Sequence, residues 1–170
     1  MLSLTQSLSS LTLMVGLAWP AQAGKASNLS GRWQLDHSAS SSLSEILKAL
    51  SYGWISRGVM NALDVTQILE TQRDHLSLRV VTRFGDDAIM LPTGSDWRPG
   101  RTLDGGQTLR RSQWIKPGRI LRTEDQFKDG GLLITVRRLR DANTFEEKLE
   151  FHSKTRGKLE ATRVFRRTAK

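Results

Sequence analysis

From Val65 almost to the C-terminus the chain shows no helical period over about a hundred residues, only short alternating segments separated by turn signals. Side chains of a strand point alternately to its two faces. In "HLSLRVVTRF" (His75–Phe84), Leu76, Leu78, Val80, Thr82 and Phe84 therefore share one face, and Ser77, Arg79, Val81 and Arg83 the other. "DGG" at Asp104–Gly106 and again at Asp129–Gly131 supplies the positive backbone angles that tight hairpins need. "KPG" (Lys116–Gly118), "DAN" (Asp141–Asn143) and "TRGK" (Thr155–Lys158) break the remainder. Counting between these breaks predicts about ten strands in an antiparallel meander. Amphipathic strands in that number stack as two sheets or close on themselves, and closure removes the edges that invite aggregation. The expected fold is mainly β: a ten-stranded antiparallel up-and-down barrel or flattened clam.

The residues ahead of the meander supply its first strand and a cover. "GRWQLD" (Gly31–Asp36) reads as a strand with Trp33 and Leu35 on one face. Ser42 and Glu45 stand as N-cap and N3 of a capping box, after which Leu43, Ile46, Leu47 and Leu50 trace one helical face. A second helix is expected in "GWISRGVMNALD" (Gly53–Asp64), with Ile55, Val59, Ala62 and Leu63 as its buried side. Two helices between strands one and two have an obvious place as a lid over one barrel end, through Leu47, Ile55 and Val59.

Residues 1–23 carry no charge, and "LTLMVGLAW" (Leu11–Trp19) is followed by Ala21 and Ala23 in a small-residue cleavage pattern. The run is too short to span a bilayer and reads as a secretory signal peptide, although the first ten residues lack the usual Lys or Arg. The expected organisation is a leader at 1–23, a flexible segment at 24–29 and one barrel domain at 30–168. A secreted or periplasmic location follows, with a cytoplasmic one as the alternative.

A net charge of +9 biases the protein toward anionic partners without choosing among them. Its basic residues alternate with acids, as in "RTEDQFKDGG", the pattern of solvated faces. With no cysteine, disulfides, thiolate metal sites and thiol catalysis are excluded. The three histidines, His37, His75 and His152, lack metal-site spacing. No nucleophile elbow, phosphate loop or dinucleotide fingerprint is present. No cofactor and no enzymatic activity are expected; a lipid isomerase or hydrolase built on a cavity is the residual alternative.

With this order of elements, the sequence resembles the fatty-acid-binding proteins, the intracellular lipid-binding family of the calycin group. "SGRW" (Ser30–Trp33) resembles the family's first-strand Gly-x-Trp, and "SLSEILKALSYGWISRGVMNAL" its helix-turn-helix. "TRF" (Thr82–Phe84) is similar to the end of its third strand, and "ATRVF" (Ala161–Phe165) to its final-strand Thr-Arg-Val-Tyr. The resemblance implies an internal, partly hydrated lipid cavity in which a carboxylate meets two arginines and a tyrosine. The matching final-strand positions are Arg163 and Phe165, so the phenol is absent. Arg138 best matches the partner arginine, on a face with Leu132, Ile134 and Val136; Arg137 takes the place if the strand slips by one residue. Phe165, Ala161, Val136, Ile134, Phe84 and Leu78 are then expected to line the cavity, and Trp33 to pack the closed end.

An arginine inside a barrel cannot shed its proton, and an unpaired buried guanidinium costs several kcal/mol. Something anionic must face it. A ligand carboxylate fits the planar fork, while its acyl chain gains about 0.8 kcal/mol for each methylene removed from water. Glu147 or Asp125 could instead supply the anion internally, and Arg163 or Arg166 could lie over the Trp33 indole. The expected function is non-enzymatic carriage or sequestration of a long-chain fatty acid or similar hydrophobic acid by a monomer. Transient contact with an anionic membrane would go through a lid bearing Lys48 and Arg57. The alternative, nucleic acid or another polyanion bound to the outside, lacks a long basic track; only "RRSQW" and "FRR" are present.

Overall fold

The computed structural model describes residues 28–102 and 105–168. The expected leader at 1–23, residues 24–27, Leu103, Asp104 and the side chain of Ile55 lie outside the described residues. The elements run β1 (Gly31–Asp36), α1 (Ser44–Ala49), α2 (Trp54–Ala62), β2 (Thr66–Thr71), β3 (His75–Thr82), β4 (Gly85–Pro92) and β5 (Gly94–Arg101). They continue with β6 (Gln107–Lys116), β7 (Ile120–Phe127), β8 (Leu132–Asp141), β9 (Thr144–Ser153) and β10 (Gly157–Arg167). Ten antiparallel strands with two helices between the first and second match the fold expected from the sequence.

Chain neighbours pair along the meander and β1 pairs with β10, which rolls the sheet into the order β4-β3-β2-β1-β10-β9-β8-β7-β6-β5. The roll is nearly complete. β4 and β5 are its two margins; they meet at Thr93, which bridges to Ser112, and no ladder joins them further along. An ion pair between Asp87 of β4 and Arg101 of β5 spans that seam at 3.0 Å.

The hairpin turns fall where the punctuation places them. Gly118 and Gly130 take φ of 68° and 84°, a left-handed backbone that a side chain would strain. The serine run after β1 does more than turn. Where the β1–β10 ladder ends at Asp36 and Val164, the Val164 N–H donates to Ser40 Oγ (2.9 Å) and the Thr162 N–H to Ser41 Oγ (2.7 Å). These hydroxyls carry the edge of β10 onward toward α1 and hold the stretch containing Arg163.

The expected capping box does not form. Leu43 occupies the N-cap, Ser42 Oγ accepts from the Ser44 N–H (3.1 Å), and no side chain caps the helix through Glu45. Asn61 of α2 does the organising instead: its Oδ1 accepts from the Leu43 N–H (2.8 Å) and its Nδ2 donates to Ser44 Oγ (2.9 Å), tying the two helices together. The buried side expected beyond Gly53 is met in part: Leu63 faces inward as expected, Val59 and Ala62 are exposed, and Met60 of α2, not expected, lines the cavity.

The closed end is a compact apolar plug. Trp33 is fully buried, its indole N–H donating to the Leu29 carbonyl (2.9 Å). Phe145 meets the Trp33 ring edge-on at 5.0 Å and stacks on Phe165 at 4.6 Å. Each such ring buried contributes roughly 1.5–3 kcal/mol. The cation over the indole is Arg167, 4.0 Å from the ring centroid, in place of Arg163 or Arg166. Arg167 also donates to the carbonyls of Asn28, Ser30 and Ala142, tying the segment before β1 and the β8–β9 turn to the barrel. Leu29, assigned from sequence to a flexible segment, is fully buried in this plug.

Candidate ligand cavity

Above the plug the strands turn polar side chains inward. Alternation on β10 points Leu159, Ala161, Arg163 and Phe165 in one direction, and the ladders place Arg163 opposite Glu147 of β9 and Glu147 opposite Arg137 of β8. Three neighbouring strands thus hold a row of cation, anion and cation across the barrel wall. All three side chains are buried, with 6%, 7% and 6% exposure for Arg163, Glu147 and Arg137.

The pairing within this row is lopsided. Arg137 Nη2 forms an ion pair with Glu147 Oε1 at 2.7 Å, and Gln67 of β2 donates a long hydrogen bond to Glu147 Oε2 at 3.5 Å. Among the described residues Arg163 has no ion-pair partner and its Nε no hydrogen-bond partner; Arg137 Nε and Nη1 and Gln67 Oε1 are also buried and unsatisfied there. Burial pushes the Arg163 guanidinium below its ordinary pKa, against the attraction of Glu147, yet an arginine stays charged. The row carries two positive charges and one negative.

A second buried pair is complete in itself. Arg110 Nε donates to Asp125 Oδ1 at 2.7 Å, Thr108 Oγ1 donates to the same oxygen at 2.9 Å, and Arg110 Nη2 donates to the Arg101 carbonyl at 3.0 Å. Asp125 is therefore neutralised by Arg110 and serves neither Arg163 nor Arg138.

These groups flank a cavity of about 970 Å³ beneath the helices. Leu47 of α1 and Leu50 just past its end, with Met60 and Leu63, form its roof; Leu78, Val80, Ile89, Phe127, Leu133 and Leu149 line its apolar wall, and Phe165 closes its floor. A long apolar chain can lie against that wall with its polar end at Arg163. Among the described residues no cluster of three or more His, Asp or Glu could hold a metal ion.

The expected site residues fall partly at the cavity and partly away from it. Arg163, Phe165, Leu78, Leu47 and Phe84 border the cavity, Phe84 from the exposed β3–β4 turn at its mouth. Arg138 points to solvent, and Ile134 and Val136 share its outer face. The β8 register is the one-residue alternative: Leu133, Thr135, Arg137 and Leu139 face in. A sum of apolar residues favours the wrong face there, and the ladder with β9 decides, because it must bring Phe145 and Phe151 to the core. Ala161 packs with Ile46 and Phe151 beside the cavity without lining it. Sequence reasoning missed Gln67 and Arg110. Arg110 was signalled by the alternation of Thr108, Arg110 and Ser112 opposite Phe127, Asp125 and Thr123; Gln67 had no local signal.

No family model and no curated protein sequence matches the chain. Solved structures do. A fatty acid transporter named REP1-NXSQ shares 22% identity at a TM-score of 0.69, covering 84% of this chain and 97% of its own. A Schistosoma mansoni fatty acid binding protein in complex with arachidonic acid has 16% identity at 0.69, covering 82% and 96%. The fatty-acid-binding protein of Drosophila melanogaster brain has 23% identity at 0.64, covering 79% and 95%. The architecture is thus that of a lidded, hollow β-barrel. More narrowly, it is the fold of the fatty-acid-binding proteins; at such identities the likeness speaks for the fold alone.

Proposed function

We propose that the protein binds and carries, without chemical conversion, a long-chain fatty acid or similar hydrophobic monocarboxylic acid. The observation that carries this reading is the uncompensated Arg163 at the edge of a 970 Å³ cavity with an apolar wall. A carboxylate brought there supplies the missing anion, accepts from the guanidinium fork, and leaves its chain against Leu78, Val80 and Leu149. Affinity then comes from methylene burial, less the cost of immobilising the chain. The structural neighbours, a fatty acid transporter and a fatty acid binding protein in complex with arachidonic acid, support the same class.

The carrier works as a monomer, in a secreted or periplasmic setting, moving lipid between membranes. Its lid exposes Trp54 and Val59 on α2 and Lys48 on α1, apolar and basic side chains suited to transient contact with anionic lipid.

Extraction of lipid from the purified protein, followed by titration with a fluorescent fatty acid at low and high salt, tests the reading. Uptake that persists in high salt and falls at least about tenfold in Arg163→Ala is expected. Salt-sensitive polyanion binding without lipid uptake would replace it with the outer-surface reading.

A further inference from the structure

Counting charges inside the barrel leads to a selectivity. Arg110 and Asp125 cancel within their own contact. Among the described residues, the buried charges that remain at the cavity are the row Arg137, Glu147 and Arg163, with a sum of one positive charge, because Glu147 already occupies the anion position between the two guanidiniums; Asp86, Lys128 and Asp129 border it from exposed positions and Asp87 from a half-buried one. All three side chains are at least nine-tenths buried, so solvent screens them weakly. A head group with one negative charge neutralises the row. A second negative charge in the same place would face the Glu147 carboxylate without a free cation to answer it, and like charges brought together out of water are costly.

We infer that Glu147 is a specificity-determining residue, an internal counter-anion that restricts the cavity to singly charged head groups and rejects dianionic ones such as phosphate monoesters. The inference rests on the acid-carrier reading and adds to it what the carrier refuses. Its physical content is a count, which separates it from any particular contact: removing the acid raises the row to two positive charges, and removing Arg137 lowers it to zero.

The test compares palmitate with monohexadecyl phosphate, equal in chain length, by calorimetry on delipidated full-length protein near about pH 8, where a phosphate monoester carries close to two charges. The wild type should prefer palmitate by at least about tenfold, and Glu147→Gln should erase or reverse that preference. Arg137→Gln, with Arg163 intact, should lose at least about tenfold in palmitate affinity, and the double variant Arg137→Gln/Glu147→Gln should regain both affinity and preference, since the sum returns to one. The double variant removes the buried pair as a unit, so it answers the question even where a single variant fails to fold. Equal binding of the two lipids by the wild type, or a double variant that binds palmitate no better than Arg137→Gln, overturns the inference while the carrier reading stands. Binding of neither lipid by the wild type overturns the carrier reading itself.

Discussion

Arg163 and Glu147 face each other across the β9–β10 ladder without forming an ion pair, because the carboxylate has turned to Arg137 on the other side. The barrel therefore holds a buried cation whose electrostatic support, among the described residues, comes from a neighbour engaged elsewhere.

Replacing that cation should separate stability from binding. Arg163→Met removes an unsatisfied buried charge, so the ligand-free protein should gain roughly 1–3 kcal/mol in urea unfolding while fatty-acid affinity collapses. A loss of stability in the delipidated variant would mean that Arg163 is already paired.

Asp125 should behave in the opposite way. Its contacts with Arg110 and Thr108 are complete, and Asp125→Asn leaves Arg110 buried without its anion. A destabilisation of about 3–5 kcal/mol is expected, read as a lower urea midpoint at unchanged slope.

The acid limb of stability should carry a contribution from Asp36. Hydrogen bonds from Ser38 and then Arg166, with the Ala39 N–H, lower its pKa from 3.8 to about 2. A depressed carboxyl stabilises the fold fully above its unfolded value and loses that contribution as the pH falls toward the folded one. Melting temperatures measured from about pH 5 down to about pH 2 should fall less steeply in Asp36→Asn than in the wild type. Parallel curves would remove Asp36 from the account.

At the closed end, Arg167→Lys keeps the charge and loses the fork that reaches three carbonyls while lying over Trp33. A loss of about 1–2 kcal/mol, with a red shift of tryptophan emission as the plug loosens, is expected. Unchanged emission would show that Trp33 is held without it.

The fold was legible because period-two alternation and turn residues act locally. Asp129–Gly131 and Lys116–Gly118 set hairpins whatever lies beyond them, and Leu76, Leu78 and Val80 declare their face unaided. The site was less so. On β8 the outer face carries Leu132, Ile134 and Val136 against Leu133 and Leu139 on the inner one, so local apolar content favours Arg138; only pairing with β9 turns Arg137 inward. In α2, Val59 and Met60 are neighbours whose roles depend on how Asn61 anchors the helix to α1. Glu147 was visible as an internal anion, but that it would choose Arg137 over Arg163 is a property of rotamers.

The gap between β4 and β5 leaves two strand margins with unpaired backbone, a standing invitation for another copy of the chain to add on. The sequence guards both. β5 carries Pro99, which offers no amide hydrogen, and loses its register between Gly94 and Arg98, while β4 begins with the paired acids Asp86 and Asp87. A vessel that never fully shuts can stay dispersed in solution because the lips of its opening are made unfit for zippering.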